Sequence, residues 1–181
     1  QYMTPGEAAC VLILESLAHA EKRNAPFYGS ICTSSCELAE QENAISMASA
    51  IHHTAQSALF KADVNLSQLQ WIVNGANGHT QTDQAEKNAF MQLLGSSASH
   101  IGVWPIKSLV GECFSASGPL QVVAALHALS NRPIGPAPDE ATSLYPFPWP
   151  TQKQKTHEYA LCTACDANGF AFSLLTQGVS L

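Results

Sequence analysis

Apolar and polar residues alternate along this chain in two ways, as short apolar runs and as longer repeats at helical spacing. Short apolar runs predict strands, and they lie at residues 7–15, 27–33, 71–73, 100–106, 158–163 and 169–175. Helical spacing predicts helices, which lie at residues 42–61, 83–94 and 115–130, with one or two further turns at 16–22. Strands that alternate with helices are typical of an α/β sheet with helices packed on it, so residues 1–181 are expected to form a single α/β domain.

Turn and cap residues mark several boundaries between these elements. A Gly- and Asn-rich turn follows the strand at residues 71–73, and the pair Asn168-Gly169 predicts a tight turn between the last two strands. Asp83, with Glu86 three residues later, predicts a capping box at a helix start. Residues 34–42 and the Pro-rich residues 133–150 are expected to be irregular. The helix at 42–61 has an apolar stripe, which consists of Ile45, Ala48, Ile51, Ala55 and Leu59.

The helix predicted at residues 115–130 is apolar nearly all round rather than along one stripe. A helix of this kind is buried on all sides. We therefore expect it to lie between two layers, of which this chain supplies one. The alternative is a weakly amphipathic, Ala-rich helix in which Gln121 and His127 are solvated.

Charge and composition narrow the class of partner. The formal net charge is −6 and charged residues make up only 12% of the chain, against about 25% in soluble domains. Negative charge argues against nucleic acid and anionic membranes, and no apolar run reaches the roughly 18 residues of a spanning helix. So little charge favours a protein partner that covers part of the surface, although a small Ala- and Ser-rich monomer is the alternative. The first residues lack the pattern of a secretion signal, so the cytoplasm is the expected compartment.

The cysteines raise the question of a metal or redox site. Cys162 and Cys165 have CxxC spacing, but a zinc site needs about four ligands and no second pair is present. The adjacent His52 and His53 would diverge on a helix. Buried thiols in strands are therefore expected, with no metal and no cofactor.

Four stretches resemble motifs of the β-ketoacyl synthases, a family of the thiolase superfamily. Residues 6–20, GEAACVLILESLAHA, are similar to that family's GEGAAVLVLESLEHA stretch. Residues 72–86 resemble the HGTGTxxxDxxE loop and helix start, and residues 106–125 resemble the KSxxGH segment with the buried helix after it. Residues 158–175 resemble the final GFGGTN hairpin. Each motif is weak alone, but four in the same order identify the chain as a member of that family.

The resemblance implies the C-terminal half of a thiolase-like fold, which is a mixed sheet with helices on both faces. Ketosynthases sandwich central helices between two similar halves, in agreement with a doubly buried helix at residues 115–130. The resemblance does not cover the half that carries the nucleophilic cysteine, and Cys10 lies on a different motif. Because condensation needs a thiolate to hold the acyl chain, the chain is not expected to perform ketosynthase chemistry by itself.

The resemblance also implies that the catalytic histidines are replaced. The family uses two histidines to stabilise the developing oxyanion, and counting from Asp83 and from Lys107 places them at Gly75 and Glu112. Glycine has no side chain to donate, and a carboxylate would repel the developing negative charge. His79, in the same loop as Gly75, is a displaced candidate donor, with a loop histidine bonded to backbone or solvent as the alternative.

Two further positions follow from the resemblance. Lys107 matches the family's lysine, and we expect it to form an ion pair with Glu112 that holds the loop without any catalytic role. Asp166 lies near the position of the family's gatekeeper phenylalanine, where a charge is unsuited to acyl chains.

These departures imply a non-catalytic partner of a ketosynthase, similar to a chain-length factor. Such partners form heterodimers with a full-length, active ketosynthase in type II polyketide or fatty-acid-like pathways, and aryl polyene synthesis is one candidate. The expected interface consists of Trp104, Val122, Val123 and Leu126. Acyl carrier protein is expected to be an indirect partner only, because carrier proteins and this chain are both acidic.

Three alternatives stay open. The chain is the C-terminal half of a split ketosynthase that completes another chain's active site, a non-enzymatic scaffold or binding domain, or a fragment of a longer pseudo-ketosynthase. The missing histidines weigh against the split enzyme. The sequence indicates neither the acyl substrate, nor the chain length, nor the identity of the partner.

Overall fold

A computed structural model describes residues 3–95, 101–130 and 159–179 of the chain. The Pro-rich residues 133–150 lie outside these ranges, so the predicted irregular connection there is not described. The described ranges contain five strands and five α-helices. None of their helices combines the length and the apolar character needed to cross a membrane.

The strands form one mixed sheet, as predicted. They are β1 (Gly29–Leu38), β2 (Leu69–Val73), β3 (Gly102–Trp104), β4 (Tyr159–Cys165) and β5 (Phe170–Gly178). Their order across the sheet is β1-β5-β4-β2-β3. β2 is parallel to β3 and β4, whereas β5 is antiparallel to β1 and β4. The carboxyl ends of β2, β3 and β4 therefore meet at one end of the sheet.

Helices cover both faces of the sheet, which confirms the predicted arrangement. They are α1 (Leu17–Lys22), α2 (Ala44–Lys61), α3 (Thr80–Leu94), α4 (Lys107–Val110) and α5 (Ser117–Leu129). Along β2, Ile72 joins a core formed with α2 and α3, whereas Trp71 and Val73 join a core formed with α5. Successive strand residues point to opposite faces, so α2 and α3 lie on one face and α5 lies on the other.

The helix α2 begins at a side-chain cap and buries most of its predicted stripe. Asn43 Oδ1 accepts hydrogen bonds from the backbone N–H groups of Ile45 and Ser46, at 3.1 and 2.9 Å. Within the stripe only Ile45 departs from the prediction, since it is 82% exposed whereas Ala48, Ile51, Ala55 and Leu59 are buried. The reason is local, because the first turn of α2 lies beside an open groove towards α3.

The helix α5 is anchored to the sheet through a buried glutamine. Gln121 is 3% exposed, and its Nε2 donates to the carbonyl oxygens of Val73 at 3.2 Å and Thr163 at 2.8 Å. One side chain thus ties α5 to the ends of both β2 and β4. The alternative of a solvated Gln121 is wrong, because the buried amide hydrogen-bonds these two carbonyl oxygens in place of water.

Residues 7–15 are not the buried strand that their apolar sequence predicts. They belong to no described strand or helix, and Val11, Ile13 and Leu14 are 86%, 88% and 71% exposed. The five-stranded sheet is complete without them. Only Leu12 packs against the core beneath α5.

The edge strand β1 is longer than predicted. Residues 34–38 were expected to be irregular, yet they pair with β5 from Ser34 opposite Leu174 to Leu38 opposite Phe170. Polar residues are tolerated here because β1 lies at the edge of the sheet and is mostly exposed. On its open side, Lys61 Nζ donates to the Ser34 carbonyl oxygen at 3.2 Å.

Candidate functional site

The candidate site lies at the carboxyl end of the parallel strands, where α/β sheets commonly bind ligands. Gly75 is in the loop after β2, and Lys107 and Glu112 are in the connection after β3. These two connections are in direct contact, because Asn77 Nδ2 donates to Glu112 Oε2 at 2.8 Å. Three of the positions singled out by the sequence are thus brought to one place.

Glu112 is the centre of this site, and its carboxylate accepts four hydrogen bonds. Oε2 accepts from Lys107 Nζ and Asn77 Nδ2, each at 2.8 Å. Oε1 accepts from Ser117 Oγ at 2.6 Å and from the Phe114 N–H at 2.8 Å. The predicted ion pair between Lys107 and Glu112 is confirmed, and both side chains are largely buried.

These donors keep the Glu112 carboxyl ionised. Burial alone would raise its pKa, but the hydrogen bonds from Lys107, Ser117 and Asn77 outweigh burial and lower the pKa to about 2. Each oxygen of this carboxylate accepts two hydrogen bonds. The carboxylate therefore has little remaining capacity to accept a proton from a substrate. It also places a fixed negative charge at this point of the site.

Residues 4–6 form a strap that contacts the backbone of Glu112. The Gly6 N–H donates to the Glu112 carbonyl oxygen at 2.9 Å, and the Glu112 N–H donates to the Thr4 carbonyl oxygen at 2.8 Å. The contact requires glycine on the strap, because a Cβ at Gly6 would lie 2.1 Å from the Val110 carbonyl oxygen. It also uses Gly111, whose φ is +76°. The strap and the Glu112 loop are therefore packed backbone to backbone.

A side chain at Gly75 would be crowded. A Cβ there would lie 3.2 Å from Ala164 Cα, 3.2 Å from Glu86 Oε1 and 3.3 Å from the Thr163 carbonyl oxygen. The Gly75 N–H donates to Glu86 Oε1 at 2.9 Å. The loop after β2 is thus held against β4, and its backbone occupies the space that a larger residue would need.

Glu86 is a buried carboxyl group that the sequence analysis did not identify correctly. It does not complete a capping box with Asp83; it points into the protein, is 2% exposed, and accepts from Asn74 Nδ2 at 3.0 Å and Thr163 Oγ1 at 3.2 Å. Burial raises its pKa to about 7, against the lowering effect of the hydrogen bond from Gly75. Its position was detectable, since it lies three residues before Ala89 and seven before Leu93, on the apolar face of α3.

Asp83 and His79 also differ from their predicted positions. α3 begins at Thr80 with His79 as its N-cap, and Asp83 lies in the first turn. Asp83 accepts from the N–H groups of Asn77 at 3.1 Å and Gly78 at 3.0 Å, which shapes the loop. Burial raises the pKa of Asp83, although these two bonds lower it. The exposed His79 ring contacts Thr82 Oγ1, three residues along, at 3.3 Å. This contact is with its own helix and not with Glu112.

Asp166 shapes the last turn of the sheet. Its Oδ1 accepts from the N–H groups of Asn168 and Phe170, each at 2.9 Å, and Gly169 has the positive φ, +86°, that the turn needs. Asp166 is exposed, and its carboxylate is used within the turn.

Most of the expected interface residues are not available to a partner. Trp104 and Val122 are 4% and 8% exposed in the core beneath α5, where Trp104 packs against Trp71 with ring centroids 6.2 Å apart. Leu126 is half-buried against the same core. Only Val123, at 43%, is exposed. The sheet and α5 of this chain cover Trp104 and Val122, and the expected interface stays a prediction.

The thiols of Cys162 and Cys165 are not activated nucleophiles. Burial raises the pKa of Cys162 and of Cys165 to about 12 in each case, which leaves both protonated at neutral pH. Within residues 3–95, 101–130 and 159–179, no group of three or more His, Cys, Asp or Glu side chains is arranged to hold a metal ion. The arrangement positions the loops through the ion pair of Lys107 with Glu112, and Cys162 and Cys165 supply no thiolate to it.

Comparison with known proteins identifies the family to which the site is related. Residues 28–139 match the family described as β-ketoacyl synthase, C-terminal domain. The chain is 29% identical to a polyketide β-ketoacyl synthase 1 of Streptomyces cyaneus, over 96% of this chain and 42% of the relative. It is 27% identical to the chloroplastic 3-oxoacyl-[acyl-carrier-protein] synthase I of Arabidopsis thaliana, over 92% of this chain and 35% of the relative. The chain thus spans less than half the length of these relatives.

Solved structures with the same fold include ketosynthases with their partners. The ishigamide ketosynthase/chain length factor aligns with a TM-score of 0.72 at 18% identity, over 92% of this chain and 42% of that one. A type II polyketide synthase acyl carrier protein in complex with its ketosynthase aligns with a TM-score of 0.67 at 22% identity, over 91% of this chain and 42% of that one. At these identities the likeness establishes a thiolase-like fold.

Proposed function

We propose that this chain, which belongs to the β-ketoacyl synthase family through its C-terminal domain, is a non-catalytic partner subunit of a ketosynthase. The chain aligns with 42% of its Streptomyces cyaneus relative. Condensation would then be performed by a full-length ketosynthase that supplies its own nucleophilic cysteine. The chain would contribute structure to the complex.

The observation that carries this proposal is the saturated carboxylate of Glu112. By the resemblance, Glu112 stands where the family has a histidine that donates to the developing oxyanion. Here the position holds an acceptor whose pKa is about 2, and every hydrogen bond in its shell points towards it. Such a group opposes an oxyanion instead of stabilising it.

The packing of Gly75 supports the same conclusion. By the resemblance, Gly75 stands where the family has its other histidine. A side chain at this position would crowd β4 and the Glu86 carboxyl, at 3.2 Å from each. Two departures with independent structural support are a stronger basis than either one.

The named relatives support a proposal for the partner and the pathway. The relatives include a polyketide β-ketoacyl synthase and a 3-oxoacyl-[acyl-carrier-protein] synthase, and a solved relative is a ketosynthase/chain length factor. We therefore propose a heterodimer with a full-length ketosynthase in a type II polyketide or fatty-acid-like pathway. Acyl carrier protein would be an indirect partner, docking on the ketosynthase.

The test is to express the chain with and without a full-length ketosynthase from the same organism. Size exclusion with light scattering would measure the stoichiometry, and a condensation assay would compare the chain, the ketosynthase and the pair. The proposal expects a one-to-one complex with activity in the pair and none in the chain alone. Condensation by the chain alone, or a monomer that ignores the ketosynthase, would contradict it.

The variant Glu112→Gln separates a structural role from a catalytic one. It removes the charge that pairs with Lys107 but keeps an oxygen acceptor, so assembled complexes should condense at the unchanged rate per complex. Glu40→Gln is the matched control, since Glu40 is exposed. A loss of condensation with normal assembly would assign Glu112 a catalytic role and refute the proposal.

A split ketosynthase is the second candidate that the resemblance leaves open. In that case a separate chain that carries only the amino-terminal half would bind this one. Activity of that mixture, without any full-length ketosynthase, would support the split enzyme over the partner subunit.

A further inference from the structure

The exposed side of α2 carries two large apolar residues, one near each end of the helix. Ile45 is 82% exposed and Phe60 is 87% exposed. With three exposed polar residues between them they form one line, which we name the outer stripe: Ile45, Ser49, His53, Gln56 and Phe60. Spacings of four, four, three and four residues keep these side chains on one side of a helix. The outer stripe is thus apolar at both ends and polar in the middle.

A groove lies beside one end of the outer stripe. It has a volume of about 280 Å³, opens between the first turns of α2 and the second half of α3, and is mainly apolar. Its lining consists of Ile45 and Ala48 on α2 and Asn88, Met91 and Gln92 on α3. An apolar cavity of about 150 Å³ is enough to hold benzene. The groove therefore has room for one phenyl ring.

The chain's own phenyl ring on this helix does not reach the groove. Phe60 follows Ile45 by fifteen residues, and fifteen residues of α-helix span about 22 Å. The ring and the groove are therefore at opposite ends of α2. A second copy of the chain brings them together if its α2 runs antiparallel to the first.

The outer stripe is self-complementary when it is reversed. Ile45 and Phe60 lie equally far along α2 from the boundary between residues 52 and 53, and Ser49 and Gln56 do the same. An antiparallel crossing with a two-fold axis at this boundary places Ile45 opposite Phe60 at both ends. It places Ser49 opposite Gln56 between them. Contacts between two identical copies related by a two-fold axis have this symmetry.

We propose that the outer stripe is the surface through which two copies of this chain associate, about a two-fold axis that passes between His52 and His53. The Phe60 ring of each copy lies in the groove beside Ile45 of the other, where it contacts Met91, whose sulfur suits an aromatic neighbour. This contact goes beyond the proposed function and does not depend on it. α2 and α5 pack on opposite faces of the sheet, so a second copy and a ketosynthase bound at α5 would use different sides.

Charges at the ends of α2 favour the antiparallel arrangement. Glu42 precedes α2 and Lys61 is its last residue, and both are exposed. Antiparallel crossing brings Glu42 of each copy near Lys61 of the other, whereas parallel crossing sets like charges against each other. Lys61 gives the Ser34 carbonyl oxygen one of its three N–H groups, which leaves two for Glu42. Asp63 lies at the same end, but its φ of +54° turns the chain off the helix, and Val64 after it is buried.

The size of this surface indicates a weak dimer. Covering the outer stripe and the groove on both copies would bury on the order of 1,000 Å² in total, which is the lower limit of a specific interface. The dissociation constant should therefore be micromolar or weaker, and each copy should fold without the contact. None of the five residues is Asp, Glu, Lys or Arg. The titratable one, His53, already has the Glu37 carboxylate as a neighbour at 3.3 Å.

Paired charge variants test this register. Ile45→Asp and Phe60→Lys each place a charge opposite an apolar residue, so each should weaken self-association about ten-fold or more. An equimolar mixture of the two should recover the dimer, because the introduced carboxylate of one variant then faces the introduced ammonium of the other. Both changes suit the helix, since acidic residues favour its first turn and basic residues its last. Val11→Lys, at a position that is 86% exposed and not on α2, is the matched control and should leave self-association unchanged.

Sedimentation velocity at several concentrations, on the chain alone and on its complex with a full-length ketosynthase, measures the outcome. The expected result is a monomer–dimer equilibrium for the chain alone and two copies of the chain in the complex. Each variant should shift it to monomer, and the mixture should restore it. A wild-type chain that stays single at every concentration in both samples overturns the inference.

Three further results would also overturn it. One is a dimer that survives both variants or is lost in Val11→Lys, because the contact then lies elsewhere. Another is a loss in both variants without recovery in their mixture, which excludes the antiparallel register. The third is weaker binding of the ketosynthase by Phe60→Lys, which assigns the outer stripe to the ketosynthase instead of a second copy.

Discussion

The two faces of the sheet are filled to different degrees. On the face of α2 and α3, Met47, Ile51 and Phe90 are at most 1% exposed, and α2 packs on both α3 and the sheet. On the face of α5, Val123 is 43% exposed, and Val11 is 86% exposed beside Leu12, which packs on the core of this face. The first face is a complete core, and the second is a core with an uncovered outer layer.

This difference is encoded in the helices themselves. α2 has one apolar stripe, so a single layer of sheet satisfies it. α5 is apolar nearly all round, so the sheet satisfies only one of its sides. The first face should therefore determine whether the chain folds, and the second should determine what the chain binds.

The largest expected effect comes from emptying the closed face. Phe90→Ala should lower the free energy of unfolding by about 3–5 kcal/mol, because it leaves a cavity in a sealed core. Phe60→Ala deletes the same atoms from an exposed position and should change the free energy of unfolding by about 0.5 kcal/mol or less. Urea unfolding measures both. Val123→Ala, on the open face, should resemble Phe60→Ala, and a large loss there would show that the second face is also closed.

The next effect concerns the buried carboxyl group at the end of the sheet. The pKa of Glu86 is raised to about 7 from 4.5, so between these values the folded state binds more protons than the unfolded state. Stability should therefore fall by about 3 kcal/mol as the pH rises through this window. Glu86→Gln should remove that decline, and the unpartnered Asn74 Oδ1 can turn to accept from the new amide.

Glu112 provides the control for that pH dependence. Its pKa is lowered to about 2, so it stabilises the fold above its unfolded pKa, and this contribution is lost as the pH falls from about 4.5 towards 2. Glu112→Gln should change only this acid limb, in urea titrations at several pH values. A wild-type curve that is flat between pH 4.5 and 7 would contradict the assigned state of Glu86.

A smaller effect is expected where the open face is joined to the sheet. Gln121→Met should cost about 2 kcal/mol, because the carbonyl oxygens of Val73 and Thr163 lose their buried donor. Gln92→Met is the matched control on the exposed side of α3 and should be nearly neutral. If both variants unfold at the same urea concentration, α5 is not held by this amide.

The smallest effect is expected at the edge strand. Lys61→Met frees the outward Ser34 carbonyl oxygen but changes the free energy of unfolding by less than about 1 kcal/mol. Its consequence should appear as faster aggregation in light scattering, since an open edge pairs with other chains. Unchanged aggregation would show that Lys61 does not protect β1.

The closed face was predictable because its residues interact within the chain. The stripe of α2, the strand at residues 71–73 and the final hairpin all follow from local periodicity and turn chemistry, and the structure confirms them. The ion pair of Lys107 with Glu112 was also predictable, because the two residues are five apart in a motif of known spacing.

The remaining features depend on contacts between distant segments, which the pattern of a single sequence does not reveal. Residues 7–15 have the sequence of a buried strand, but the strands that would flank them are absent from the described sheet. Glu86 was mistaken for a cap because its spacing from Asp83 fits a capping box, whereas its burial follows from how α3 rests on the sheet. The polar residues 34–38 became a strand through pairing with β5, a contact between distant parts of the sequence.

The order of the strands also governs how the chain can reach this fold. β1 pairs only with β5, so Gly29 finds its neighbour Gly178 at the far end of the sequence, and the central β4 is formed almost as late. Folding that depends on such distant contacts is slow. During synthesis α2, α3 and α5 emerge before the two strands that support them, and their apolar surfaces are available to chaperones for that interval. The final hairpin is therefore the segment whose arrival commits the newly made chain to its native sheet.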